Sequence, residues 1–236
     1  MVEGPRTVEE LLTGQWGQPL EIYLDARLSA ERTARFRELA RKRDIPEVIV
    51  TSNALESVTD TVQSQGVLAL ASIPEPDLAE LLSSARLLLI LDGVQDPGNV
   101  GTLIRLAEGT GVDGVIALTG TCDPYSSKAV RASAGGLFHV PVLKRFDSII
   151  VDSVQEAGFM VTTLTPEGTP YQEKLDLLLN RRLALVAGNE GAGISTGIKT
   201  ASDLAISIPM RGKLDSLNVA VSTGLILLRI REEIQQ

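Results

Sequence analysis

The stretch Leu87-Leu88-Leu89-Ile90-Leu91-Asp92-Gly93-Val94-Gln95-Asp96-Pro97-Gly98-Asn99-Val100-Gly101 decides the fold. Its first five residues are apolar without alternation, the pattern of a parallel strand covered on both faces. Pro97-Gly98 then forces a turn, and Asn99 is suited to cap a helix. Val100, Leu103, Ile104 and Ala107 recur at the spacing of one buried helical stripe. The same rhythm continues downstream. Residues 115–118, 159–164, 183–187 and 204–208 read as strands, and 126–135, 147–157 and 216–230 as helices. Strands alternating with helices predict an α/β fold with a mostly parallel sheet and helices on both faces.

Upstream the pattern is finer-grained. Val8, Leu11 and Leu12 are spaced for a helix, residues 21–24, 47–50 and 67–70 read as strands, and 30–43 as a helix that Ser29 can cap. Ser72-Ile73-Pro74-Glu75-Pro76 is stiff and poor in donors, which suits a linker. The expected organisation is a small α/β domain over 1–76, a linker over 77–84 and the larger domain over 85–236. No internal repeat or low-complexity segment interrupts it.

Composition narrows the class. Of 236 residues 44% are apolar, enough for a buried core and too many for intrinsic disorder. No apolar run approaches the roughly 18–20 residues of a membrane span, and the N-terminus carries no secretory pattern. A single cysteine, Cys122, excludes an internal disulfide and a cysteine-cluster zinc site. The expectation is a soluble, cytoplasmic protein without a membrane partner. A net charge of −8 argues against nucleic-acid binding, which draws affinity from neutralised phosphates. Residues 27–43 run the other way, with seven basic residues against two acidic ones, a local charge of +5. Arg35, Arg37, Arg41 and Lys42 are therefore candidate phosphate contacts; the competing reading is a solvated face with Glu31 paired to Arg35.

Ligands of open α/β sheets lie beyond the carboxyl ends of strands. Three loops qualify. The first is the turn quoted above, followed by Arg105 one and a half turns into its helix. The second, Gly188-Asn189-Glu190-Gly191-Ala192-Gly193, is glycine-rich but is neither a dinucleotide fingerprint nor a P-loop. The third runs from Ile208-Pro209-Met210 to Ser216-Leu217-Asn218-Val219, where Asp215 or Ser216 can cap the terminal helix. That helix has two apolar stripes, one with Leu217, Ala220, Val221, Gly224 and Leu228, the other with Val219, Ile226 and Ile230. Such a helix is deep in a core or shared with a second chain. Singly, each loop is also explained as an ordinary turn or capped helix. Asp92 and Asp96 are expected to face water, with no metal; His139 reads as a strand-edge residue, and neither it nor Cys122 is assigned chemistry.

Taken together, the loops resemble the three signature motifs of the SpoU (TrmH-like) branch of the SPOUT RNA methyltransferases. Asp96-Pro97-Gly98-Asn99-Val100-Gly101 with Arg105 is similar to the first, Gly188-Asn189-Glu190-Gly191 to the second, and Ile208-Pro209-Met210 with Ser216-Leu217-Asn218-Val219 to the third. Residues 131–141, Arg131 to Pro141, are similar to the family's linking segment, and the resemblance covers 85–236. Ser64-Gln65-Gly66-Val67 behind the basic helix resembles the end of the ribosomal-protein-like RNA-binding domain often fused in front, here without its usual opening helix and strand.

The resemblance implies a C-terminal trefoil knot and transfer of a methyl group from S-adenosylmethionine to a ribose 2′-hydroxyl of structured RNA, rRNA in preference to tRNA, by a homodimer. It implies that Gly188, Ile208, Leu217 and Met210 hold the cofactor, with Thr163 or Leu164 as a wall and glycines where side chains would block its approach. Arg105 is then the catalytic residue, as a base or as an electrostatic grip on phosphate or alkoxide. Asn99, Glu190, Ser216 and Asn218 position it and the ribose, and Arg131 joins the RNA contacts. Two other classes stay open: a nucleotide-binding enzyme on an ordinary doubly wound sheet, and a non-catalytic RNA-binding assembly factor.

Overall fold

The computed structural model describes residues 1–59, 64–147, 149–214 and 216–234. The front domain comprises β1 (Val2–Glu3), α1 (Pro5–Thr13), β2 (Pro19–Asp25), α2 (Ala30–Lys42), β3 (Glu47–Val50), α3 (Ser52–Glu56) and β4 (Val67–Ala71). Its four strands run β1-β4-β2-β3, with β2 parallel to β3 and antiparallel to β4. As expected, the Ser29 hydroxyl caps α2 by accepting from the Arg32 N–H. The apolar face of α2 buries Phe36, Leu39 and Ala40 beside Ile22 and Leu24 of β2.

The second domain begins at α4 (Leu78–Ser84), then β5 (Leu87–Asp92), α5 (Pro97–Thr110), β6 (Gly114–Leu118), α6 (Ser127–Ala132) and β7 (Val142–Phe146). It continues through α7 (Ile150–Glu156), β8 (Phe159–Pro170), α8 (Leu175–Leu179), β9 (Arg182–Gly188), α9 (Thr196–Ala201), β10 (Leu204–Ser207) and α10 (Val219–Ile234). Six strands in the order β10-β8-β9-β5-β6-β7 pair in parallel throughout. The unbroken apolar run of β5 is divided between two cores. Leu89 and Leu91 meet α5 and α10 on one face, while Leu88 and Ile90 meet α4 and α7 on the other. At roughly 1.5–3 kcal/mol per fully buried large apolar side chain, these central strands are a major stabilising element.

Four expectations are corrected here. The front domain, expected to lack an opening helix and strand, begins with both: β1 pairs with β4, and α1 buries Val8, Leu11 and Leu12 against the core. Residues 78–84, taken for linker, form α4, because Asp77 caps it and Leu81 and Leu82 are apolar enough to bury under the sheet. Residues 142–146 form a strand absent from the sequence reading, since Lys144 and Arg145 interrupt its apolar pattern. His139 is not a strand-edge residue. Its Nε2 lies 2.9 Å from Glu10 Oε2 of α1, across the domain boundary. There the domains are in close contact: the Trp16 N–H donates to Phe138 O at 2.9 Å, and a Cβ on Gly14 would meet that oxygen at 2.3 Å. The front and main cores form one continuous apolar cluster. Among the described residues no helix is long and apolar enough to cross a membrane.

Candidate active site

The three loops meet at the carboxyl rim of the sheet because β5 and β9 are adjacent and α10 returns to pack on α5. The first is shaped by Asp96 rather than Asn99. The Asp96 carboxylate accepts the Asn99 N–H at 3.0 Å as the cap of α5, with Pro97 in the first helical position. That capping bond and Lys128, at 3.2 Å, hold the Asp96 carboxyl below the usual range. Asp96 is exposed, as expected, whereas Asp92 does not face water. It is buried and accepts the Ser195 N–H at 2.7 Å.

Relieved of capping, the Asn99 side chain joins the loops. Its Nδ2 donates to Glu190 Oε1 at 2.8 Å, and its Oδ1 accepts from Asn218 Nδ2 at 3.0 Å. Glu190 also accepts the backbone N–H groups of Gln95 and Asp96, each at 3.2 Å. Burial pushes the Glu190 carboxyl up, but the Asn99 bond and surrounding backbone donors outweigh it and leave it below the ordinary glutamate value. Asn218 is the cap of α10, its Oδ1 accepting from the Ala220 and Val221 N–H groups at 2.9 and 3.3 Å. Of the two caps expected there, Ser216 makes no such bond among the described residues, and Asp215 lies outside them.

Beside this chain of amides opens a crevice of about 310 Å³, a size suited to a small-molecule ligand. Gly188, Ile208, Met210, Leu217, Ser216, Glu190 and Asn218 line it, as the sequence predicts. Leu164 forms part of the wall; Thr163 does not, being buried with its hydroxyl on Leu204 O at 3.3 Å. Two of the glycines have a structural cause within the loop itself. A Cβ on Gly188 would meet the backbone of Gly193 and Ile194 at 2.7 Å, so Gly188 lets the loop close on itself. Gly193 has φ +71°, the left-handed conformation that glycine adopts without strain. Asn189 then locks this loop, donating to Gly93 O and accepting from the Gly191 and Ala192 N–H groups, all at 2.8 Å.

Arg105 is not brought to the crevice. It is exposed on α5, its Cα backed against Gly136, and its guanidinium has no hydrogen bond or ion pair among the described residues. Six residues of helix turn it well away from the face that carries Asn99. Among the described residues, Asn99, Glu190, Ser216 and Asn218 make no hydrogen bond to Arg105. The basic helix is also altered from its reading. Arg35 pairs with Glu9 at 2.7 Å instead of Glu31, Arg37 with Glu47 at 2.6 Å, and Lys42 with Glu38 at 2.7 Å. Arg43 donates to Leu11, Gly14 and Gly17 carbonyls at 3.0–3.3 Å and is structural. Arg41 and Arg131 are exposed, and their guanidinium groups make no hydrogen bond or close ion pair among the described residues. The sequence reading missed Glu167 and Lys199, both on the crevice wall. The turn-forming residues Pro166 and Gly168, just beyond the expected strand 159–164, were the available signal.

Comparison with known proteins agrees with this geometry. Residues 86–228 match the SpoU rRNA Methylase family, and residues 1–77 match the domain described as RNA 2′-O ribose methyltransferase substrate binding. A 23S rRNA (guanosine(2553)-2′-O)-methyltransferase of Bacillus subtilis is 37% identical over 184 residues, 78% of this chain and 71% of the relative. An uncharacterized tRNA/rRNA methyltransferase of Mycobacterium tuberculosis is 31% identical, covering 95% of this chain and 78% of its own. The SpoU methyltransferase AviRb from Streptomyces viridochromogenes, solved with AdoMet, superposes with a TM-score of 0.84 at 26% identity over 98% of this chain and 89% of that one. An AdoMet-bound rRNA methyltransferase from Sinorhizobium meliloti gives 0.85 at 25% identity over 99% and 87%.

Proposed function

This chain belongs to the SpoU rRNA Methylase family and is an S-adenosylmethionine-dependent RNA ribose 2′-O-methyltransferase, and we propose that its substrate is structured rRNA rather than tRNA. One observation carries the assignment of the site: Asn99, Glu190 and Asn218, from three distant segments, are hydrogen-bonded in one chain at the edge of a ligand-sized crevice. The residues present fit the methyl donor. Leu164, Ile208, Met210 and Leu217 offer apolar walls for a purine, and Gly188 brings backbone groups to the surface. When bound, S-adenosylmethionine supplies a sulfonium methyl that is already activated for displacement.

The protein's own part is alignment and charge. Asn99 and Asn218 hold each other and Glu190, so the rim where a ribose docks is preorganised; such alignment is worth up to roughly 7–11 kcal/mol. Ser216 offers a hydroxyl at the same rim. To Arg105 we assign a grip on an RNA phosphate rather than proton abstraction. An arginine is not deprotonated at working pH, and an exposed, unpartnered guanidinium matches phosphate geometry.

Residues 1–76 serve as the RNA-binding domain, with Arg35, Arg37, Arg41 and Lys42, and Arg131 from the main domain, as phosphate contacts. The pairing of Arg35, Arg37 and Lys42 does not oppose this, because exposed ion pairs are worth only about 0–1 kcal/mol and exchange readily for phosphate. The protein acts in the cytoplasm as a homodimer, with a C-terminal trefoil knot. The exposed apolar stripe Val221, Leu225 and Leu228 on α10 supports the dimer. The passage of the chain from edge strand β10 back to α5 supports the knot. Incubation with rRNA, tRNA and labelled S-adenosylmethionine tests the function. A single ribose position in rRNA that becomes resistant to alkaline cleavage is expected; label on a base, or on tRNA alone, overturns it.

A further inference from the structure

Among the described residues, three charged side chains line the crevice: Glu167, Glu190 and Lys199. Glu190 is committed to the loop junction by three donors. The other two have opposite charge and stand on separate elements, and the fold takes trouble to put one of them there. Along the β8–β10 pair, Thr163 faces Ala205 and Thr169 faces Ile206, so residues 164–168 are looped out of the sheet. The loop is anchored where it returns. Ser207 Oγ donates to Gly168 O at 2.8 Å, and a Cβ on Gly168 would lie 2.4 Å from the Ile206 carbonyl carbon. Glu167 rides on this excursion, its carboxylate accepting a hydrogen bond from the Thr165 hydroxyl. That bond, with the field of Lys199 as a smaller contribution, holds the carboxyl below its usual value, so it is ionised. Lys199, on α9, faces the same space, yet its ammonium forms no ion pair with Glu167 and no hydrogen bond among the described residues.

An anion and a cation set across a crevice without touching each other match a ligand that carries both charges on one carbon. The donor named above has such a group, the α-ammonium and α-carboxylate of its methionine portion. We propose that Glu167 and Lys199 form an ionic clamp for this zwitterionic head, Glu167 taking the ammonium and Lys199 the carboxylate. The clamp rests on the methyltransferase reading and deepens it. It lies on the β8 and α9 side of the crevice, while the Asn99–Glu190–Asn218 chain lies on the α5 and α10 side. The head is thereby held away from the rim at which the ribose docks.

Calorimetric binding of two adenosine ligands separates this role from others. S-adenosylhomocysteine carries the amino-acid head; 5′-methylthioadenosine has the same adenosine and a sulfur but no head. The wild-type chain is expected to bind the first at least about tenfold more tightly. Glu167→Gln and Lys199→Met should each weaken S-adenosylhomocysteine about tenfold, the loss of one charge-assisted hydrogen bond, and change 5′-methylthioadenosine less than twofold. Equal losses for both ligands would assign Glu167 to the ribose diol or to folding and overturn the clamp. Unchanged affinity for S-adenosylhomocysteine would overturn it too, leaving the enzyme assignment intact. If the wild type bound neither ligand, the donor site itself would be misplaced and the clamp would fall with it.

Discussion

Replacing Glu190 should uncouple the first loop from the second. In the native fold its carboxylate accepts from Asn99 Nδ2 and from the Gln95 and Asp96 N–H groups at 2.8–3.2 Å. Hydrogen bonds to a charged group are worth about 1.5–3 kcal/mol when sheltered. Glu190 is largely exposed, so about 1 kcal/mol each is the appropriate figure. Glu190→Ala then forfeits about 3 kcal/mol of loop organisation, or about 150-fold in kcat/KM if the aligned loops are what the transition state needs. Glu190→Gln keeps one acceptor oxygen but turns an amide donor toward donors, and should lose about tenfold. Methyl transfer under subsaturating RNA measures both, with thermal unfolding beside it. The carboxyl titrates below the ordinary value of about 4.3, so its stabilising contribution is complete above that pH and disappears as pH falls through the lowered folded value. The Glu190→Gln protein should therefore show a flatter loss of stability on acidification than the wild type. Glu190→Ala within threefold of wild-type activity would refute the argument that this junction organises the site.

Three further outcomes follow from the geometry. Arg105→Ala should raise KM for RNA about tenfold or more and reduce the salt dependence of binding by somewhat under one ion, with kcat little changed; a fall in kcat alone would give Arg105 a role in the chemical step instead. Leu225→Glu, in the exposed α10 stripe, should shift the protein to a monomer in sedimentation, and a dimer that survives it would place the interface elsewhere. Gly101→Ala would put a Cβ 2.3 Å from Ala129 O and 2.5 Å from the Ala132 Cβ, neither able to rotate aside, and should cost at least about 1–3 kcal/mol or several degrees of Tm. Gly109→Ala on the same helix meets nothing within 4 Å and should be neutral or stabilising by up to about 1 kcal/mol, which makes it the control.

The amino-acid sequence by itself determined the elements whose cause is local. Five apolar residues in a row at 87–91 must be covered on both faces, the stripe from Val100 to Ala107 must form one side of a helix, and Ser29 stands where an N–H needs an acceptor. The three unusual loops were visible for the same reason, since glycine, proline and asparagine act on backbone neighbours. Only the tertiary structure decided which residues use their side chains on one another. Asn99 meets Glu190 across 91 positions and Asn218 across 119, and no local pattern encodes a bond of that reach. For the same reason the sequence offered Arg35 only Glu31 of its own helix as a partner, although Glu9 and Glu47 lie against that helix. Likewise Arg105, one and a half turns beyond a loop that lines the site, was turned off it by the pitch of its helix.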